Sequence, residues 1–386
     1  MKSPKMFKKF KKVEEVECLI CRKKSKKISN SLPVCLECIR GKPDRALEIS
    51  SRIHSKARKE KSLPTEVPKS SKGVECSYCA NRCQIPLGNK GYCNLSKNEE
   101  GELVRKFGTS ERAIGSWYRD LHQTNCVASW YCAGGSGYGY PEYARRPEGD
   151  RGFKSAAVFL GTCCYHCLYC QNEKWCKMAS SKRSVLERDE LAENIFYDRS
   201  ITCLCWFGGS PEPQSPFVYE VSRNIARKAK KEDRIFRICL EANGNFSWSW
   251  LKKIAKLSLE TGGGIKFDLK AWNEGLNRIL SGVSNNPTYE NFERLASFHS
   301  KRKEPPFLRA STPLIPGYVD LKEVRKISKF ISEVDSTIPY SLLAYGPAYK
   351  LSDLPTTSEK FALEARDVAK EEGLENVRIG NKHLLL

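Results

Sequence analysis

From about residue 152 to the C-terminus the sequence alternates short apolar runs with amphipathic helical stretches, and this rhythm limits the possible folds more than any other feature. "SAAVFL" precedes "RDELAENIFYD", "ITCLCWF" precedes "PFVYEVSRNIARKAKK", and "FRICLEA" precedes "SWLKKIAKLSLE". The pattern continues through "GIKFDL", "NPTYENFERLASFHSKR", "FLRASTPL", "LKEVRKISKFISEV", "YSLLAY" and "EKFALEARDVAKEEG" to a last "NVRIG". Strands joined in sequence by helices lie parallel with right-handed crossovers, so the repeat predicts an α/β fold, a parallel partial (β/α)6 barrel over residues 152–386. In such folds the C-terminal ends of the strands carry the chemistry.

Ahead of this region lie a paired-cysteine module (1–45), a basic helix and linker (46–73), and a Cys/Gly-rich segment (74–151) in which "CAGGSGYGYPEYARRPEGD" reads as irregular loop. No run of ~18 apolar residues offers a membrane span. "MKSPKMFKKFKKVEEVE" lacks the apolar core of a signal peptide. A cytoplasmic location is expected, where thiols stay reduced, so 18 cysteines argue for metal ligation or redox chemistry over disulfides. The net charge of +21 is fed by N-terminal runs such as "KKFKK", "CRKKSKK" and "SKARKEK". They suit RNA or an acidic protein surface, or serve as a solubilising tail; aromatic residues that would stack bases are scarce among them.

Cys163, Cys167 and Cys170 stand in C-x3-C-x2-C spacing just after the first predicted strand. Three thiolates leave one iron of a four-iron cubane open, whereas zinc would want a fourth protein ligand. This spacing, with Tyr169 before the last cysteine, resembles the radical S-adenosylmethionine (SAM) superfamily. The resemblance implies a [4Fe-4S] cluster whose open iron is chelated by SAM, an external one-electron reductant, and anaerobic chemistry. "WFGGSPEPQ" resembles the superfamily's glycine-rich segment, with Gly208 and Gly209 toward the SAM amino group; Ser210 and Pro211 depart from its commoner acidic residue and proline. By the same resemblance, Glu241 and Asn243 in "LEANGN", Asp268 and Lys270 in "KFDLKAW", and Arg309 in "FLRASTPLIPG" are expected to contact SAM. The D-[LI]-K segment points to the branch containing pyruvate formate-lyase activating enzyme. Residues 76–103 and 344–381 are similar to the AmmeMemoRadiSam-type members, so the likeness runs from about 74 to the end.

What this implies is an oxidoreductase that cleaves SAM to a 5'-deoxyadenosyl radical and abstracts hydrogen from a protein substrate, as in glycyl-radical activation. No catalytic residue is assigned. The competing readings are peptidyl or RNA modification, including radical methyl transfer with or without cobalamin, a small-molecule radical enzyme, and a non-enzymatic metal scaffold.

Further cysteines fall into sets. Cys18, Cys21, Cys35 and Cys38 form C-x2-C-x13-C-x2-C, the spacing of a zinc ribbon, either a structural cap or a docking module for protein or RNA. Such a module is expected to be separable from SAM cleavage, since every proposed SAM contact lies beyond residue 160. Cys76, Cys79, Cys83 and Cys93 suffice for zinc, mononuclear iron or an auxiliary cluster. Cys126 and Cys132 either face substrate, ligate an auxiliary group or are simply buried, and Cys164 and Cys176 receive no role. The five histidines show no paired spacing, and His166 either bonds to the cluster or fills space.

Overall fold

A computed structural model describes residues 13–122 and 126–386; the "KKFKK" run lies outside the described residues. Its centre is a nine-stranded sheet. In chain order the strands are β1 (Arg112–Leu121), β2 (Lys154–Leu160), β3 (Val185–Glu187), β4 (Ile201–Gly208) and β5 (Arg237–Ala242), then β6 (Ile265–Asp268), β7 (Leu308–Leu314), β8 (Tyr340–Ala344) and β9 (Val377–Gly380). They lie in the order β9-β8-β7-β6-β5-β4-β2-β1-β3. From β2 through β9 every neighbouring pair is parallel, with helices in the crossovers, as the alternation predicts. Two additions lie outside that pattern. β1, drawn from the Cys/Gly-rich segment, runs antiparallel along the whole of β2, and β3 extends the sheet beyond it.

The two faces of the parallel strands differ in chemistry because side chains alternate. On β5, Ile238, Leu240 and Ala242 join a large apolar core with Val158, Trp206 and Phe267. The alternate residues Arg237, Cys239 and Glu241 line the cavities inside the sheet. Lys266 and Asp268 on β6 face the same way, between core residues Ile265 and Phe267.

Two helices stand outside the alternation, Trp175–Ser181 and a second that matters more to the site. Glu274–Ser281 sits between β6 and β7, capped by the Asn273 side chain accepting from the Leu276 amide at 2.8 Å and ended by Gly282 at φ 78°. An Asn N-cap and a following glycine are the sequence signals that mark it.

The N-terminal module is not a free appendage. Ile28, Leu32, Val34 and Ile39 belong to the same apolar core as the sheet. The Arg40 guanidinium forks onto Asp320 at 2.7 and 2.8 Å and reaches Glu323 at 2.9 Å. The basic helix, Pro43–Lys59, packs against Glu274–Ser281. The module expected to be separable from SAM cleavage thus packs directly on the sheet's core and on the helix Glu274–Ser281.

Candidate active site

The loop after β2 is built by its neighbours' unsatisfied backbone. The last carbonyls of a helix lack intrahelical donors; those of Ser281 and Leu280 accept from the amides of His166 and Leu168, both at 2.9 Å. The Leu168 carbonyl in turn accepts from Lys350 and Leu351 at 2.9 and 3.1 Å. So held, Cys163, Cys167 and Cys170 open together on a cavity of about 460 Å³ at the C-terminal ends of the strands. Cys167 Sγ lies 3.4 Å from Ser281 Oγ, and Asn243 Nδ2 lies 3.5 Å from Cys163 Sγ. None of the 18 cysteines is paired in a disulfide.

Gly208, Gly209, Glu241, Asn243, Asp268 and Lys270 line this same cavity. The glycines permit close approach of backbone to backbone. Gly208 has φ 111°, and a Cβ on Gly209 would stand 2.1 Å from the Thr162 carbonyl oxygen, inside the cysteine loop. Ser210, where the sequence departs from the commoner form, accepts from Asn243 Nδ2 at 3.1 Å and lies 3.4 Å from Cys164 Sγ. Glu212 is fully buried and accepts from the Gly244 amide at 2.8 Å, tying the glycine turn to the end of β5. Burial pushes its carboxyl up to about 7.

Charges of alternating sign form a row along the wall. Glu241 meets Lys266 at 3.3 Å, Lys266 meets Asp268 at 2.9 Å, and Asp268 meets Lys270 at 3.0 Å. Ser311 donates to Asp268 at 2.7 Å. Burial alone would raise the Asp268 carboxyl, but Lys266 and Lys270 outweigh it and hold it well below the usual carboxylate range. Burial would likewise lower the Lys270 ammonium, but Asp268 and Cys167 raise it. Asp268 and Glu241 outweigh burial at Lys266 in the same way, so both lysines are charged at neutral pH. Lys266 was missed in sequence, although "KFDLK" places Lys266, Asp268 and Lys270 at period two on one face.

Arg309 is elsewhere. It is the second residue of β7, and its side chain lines a separate, deeper cavity near the N-terminal halves of the strands. Sequence reading assigned it to the SAM end because the strand was right, but the position along the strand was not.

The histidines also pair against expectation. His54, on the basic helix, lies 2.8 Å from His166 through their Nδ1 atoms. The Ile279 carbonyl can only accept, so His54 Nε2 donates to it at 3.0 Å. His54 Nδ1 then accepts from His166, whose Nε2 accepts from the Tyr349 hydroxyl at 3.1 Å. Burial depresses His54 to about 4 and His166 to about 2, so both are neutral. A residue outside the family-like part of the sequence thus braces the cysteine loop.

The remaining cysteine sets differ in geometry. The sulfurs of Cys18, Cys21, Cys35 and Cys38 lie within 4.8 Å of one another, with Cys21 and Cys35 at 3.6 Å, and can hold a metal ion. That matches a tetrahedral site, in which metal–sulfur bonds of about 2.3 Å put sulfurs about 3.8 Å apart. Cys76, Cys79 and Cys83 are buried with Cys163, Cys164 and Cys176 in one cluster behind the cysteine loop, and Cys93 is buried beside them in the next. Asn81 donates to the Cys164 carbonyl at 2.7 Å, fixing that segment to the loop.

Three thiols open on one cavity, with the Asn243 amide donating toward the Cys163 sulfur and the Ser281 hydroxyl beside that of Cys167, fit a cubane that keeps one iron free for a ligand. Among the described residues, no helix is long and apolar enough to cross a membrane.

Known proteins share parts of this sequence. Residues 158–331 match the radical SAM superfamily, from within β2 to the helix after β7. A Methanocaldococcus jannaschii protein provisionally named a glycyl-radical enzyme activating enzyme is 27% identical over 209 residues, 54% of this chain and 73% of that one. An uncharacterized protein of the same organism is 23% identical over 316 residues, 80% of this chain and 81% of that one. Among solved structures, a domain of pyruvate-formate lyase-activating enzyme from Bacteroides vulgatus aligns with a TM-score of 0.35 and 16% identity, covering 46% of this chain and 98% of that domain.

Proposed function

We propose that this radical SAM enzyme abstracts hydrogen from a protein substrate, as in glycyl-radical activation, with Cys163, Cys167 and Cys170 as the ligands of its [4Fe-4S] cluster. The observation that carries the reading is that these thiols and the charged row from Glu241 to Lys270 open on one cavity. When bound there, cluster and SAM supply one-electron cleavage of the sulfonium to a 5'-deoxyadenosyl radical. The chain's own part is binding and orientation. SAM's amino-acid end carries an ammonium and a carboxylate. Glu241 and Asp268 offer acceptors to the first, Lys266 and Lys270 donors to the second, all preset by their mutual ion pairs. Asn243 and Ser281 place an amide and a hydroxyl beside cluster thiols. Phe207, Trp175 and Tyr345 supply apolar wall that excludes water from a reactive intermediate.

A protein substrate is supported by the name of the methanogen relative and by an open cavity mouth, where Tyr118 is 44% exposed. The ribbon is read as a zinc site and structural cap, since its apolar residues share the sheet's core. The test is anaerobic reconstitution of the full chain with iron and sulfide, followed by reduction and SAM. A cluster signal that changes on adding SAM, and deuterium passing from a glycine-labelled partner protein into 5'-deoxyadenosine, are expected. A reconstituted cluster indifferent to SAM would overturn the reading. Transfer from RNA instead would retain the radical chemistry and replace the substrate.

A further inference from the structure

Inside the sheet, below the cavity just described, lies a second one that the proposed function leaves unused. Its volume is about 90 Å³, against about 460 Å³ above. That is under the roughly 300 Å³ at which pockets for organic ligands begin. Its wall is rich in sulfur. Cys203 and Cys205 stand two apart on β4 and so share its inner face; Cys239 is the register partner of Cys205 on β5. Cys132 and Cys126 enter from the segment before β2, Cys126 at the exposed mouth. The Cys203 and Cys239 sulfurs are 3.9 Å apart.

Charge and spacing narrow what such a wall can hold. Two arginines are buried beside the thiols. Arg237 is neutralised by Asp150 at 2.6 Å. Arg309 is 4% exposed, and among the described residues its Nε has no hydrogen-bond partner, while Nη2 reaches only the Tyr131 carbonyl at 3.4 Å. A buried guanidinium so poorly matched is costly unless an anion completes it. Thiolate-bound iron–sulfur clusters are anions. A single tetrahedral ion would draw its sulfurs together as in the ribbon, and among the described residues only the ribbon's are so drawn. One close pair with further thiols spread around a small cavity suits a bridged cluster.

We propose that Cys203 and Cys239, with Cys126, Cys132 and Cys205, hold a second iron–sulfur cluster within the sheet, with Arg309 as its counter-charge. Tyr118, Phe207 and Glu241 line both cavities, so this centre faces the SAM site through a single layer of side chains.

The experiment starts from full-length protein carrying Cys163→Ala, Cys167→Ala and Cys170→Ala, reconstituted anaerobically with iron and sulfide. Iron, acid-labile sulfide and Mössbauer spectra are compared after adding either Cys203→Ser with Cys239→Ser or Cys76→Ser with Cys83→Ser. The first pair should remove about two to four irons per chain with matching sulfide, and the second should leave that increment in place. Unchanged iron and sulfide on losing Cys203 and Cys239, or zinc without sulfide at that site, overturns the proposal. Should the serine pair fail to fold, Arg309→Met keeps every thiol. It should shift the reduction potential of the centre left in the alanine background to more negative values, and an unmoved potential overturns the assignment.

Discussion

The ribbon and the cysteine loop both present thiols at short sequence spacing, yet the fold uses them in opposite ways. The ribbon gathers four sulfurs within 4.8 Å, closed on themselves, and sets its apolar residues into the sheet's core. The loop spreads three thiols around the rim of a cavity and leaves room beside them. A closed set of ligands fits a metal that holds structure, and an open set fits a metal that takes a further ligand. The contrast is set by what surrounds each loop. A tight hairpin and the Leu36–Gly41 helix enclose the ribbon, while strand ends and the Glu274–Ser281 carbonyls hold the other loop apart.

The largest effect should come from Cys163→Ala, Cys167→Ala and Cys170→Ala together, with complete loss of the SAM-responsive cluster signal and of 5'-deoxyadenosine formation. Metal held by the ribbon, counted by mass spectrometry, should stay. Loss of both would break the distinction between the two sites. Next in size is Cys18→Ser with Cys35→Ser, which empties the ribbon. Because that module shares the sheet's core, unfolding free energy in denaturant should fall by about 4 kcal/mol or more, the exceptional size of effect for which metal loss is one of the few causes. SAM cleavage should decline with it. Unaltered stability would make the ribbon a separate appendage after all.

Lys270→Met sharpens the comparison on the loop's side. Lys270 as partner of a SAM carboxylate should contribute about 1.5 to 3 kcal/mol, so SAM affinity should fall roughly tenfold or more at 1.4 kcal/mol per decade. Asp268 keeps Lys266 at 2.9 Å, so thermal stability should change little. The reverse pattern, intact affinity with a lowered melting temperature, would make Lys270 a structural ion pair.

The smallest effect is the pH dependence of the brace. His54 and His166 are neutral in the fold, with pKa values depressed by burial, so the unfolded chain takes up protons first as pH falls. Their contribution is whole above about 6.5 and is lost progressively below it, on the order of 1 kcal/mol per histidine for the first pH unit. Arg58 and Lys350, both near His166, reinforce the neutral state. Urea melts at pH 7 and 5.5 should show His54→Gln less acid-sensitive than wild type; equal sensitivity would mean the pair is already charged.

Local chemistry made much of this legible. Helices and strands from "SAAVFL" onward follow hydrophobic period, which neighbours do not override, and Leu321–Val334 occupies the very residues the amphipathic pattern marks. The row Asp268–Lys270 was readable because a strand's alternation fixes its face. Glu274–Ser281 was written in its caps and passed over because it interrupts the repeat. β1 escaped because its ten residues are half exposed and interleave Arg, Gly, Ser and Asp with the apolar ones, so no apolar run stands out.

By itself, the sequence determined the parallel α/β architecture, the grouping of cysteines into sets, and the resemblance to the radical SAM superfamily, all of which are carried by patterns along single segments. Only the tertiary structure decided what depends on distance between segments. It carried Arg309 down to the thiol-lined cavity, since strand tilt and register set depth. It joined His54 to His166 across 112 residues of chain, and set the apolar residues of the N-terminal module into the sheet's core. Contacts of that kind arise from packing of apolar faces whose partners no local pattern specifies.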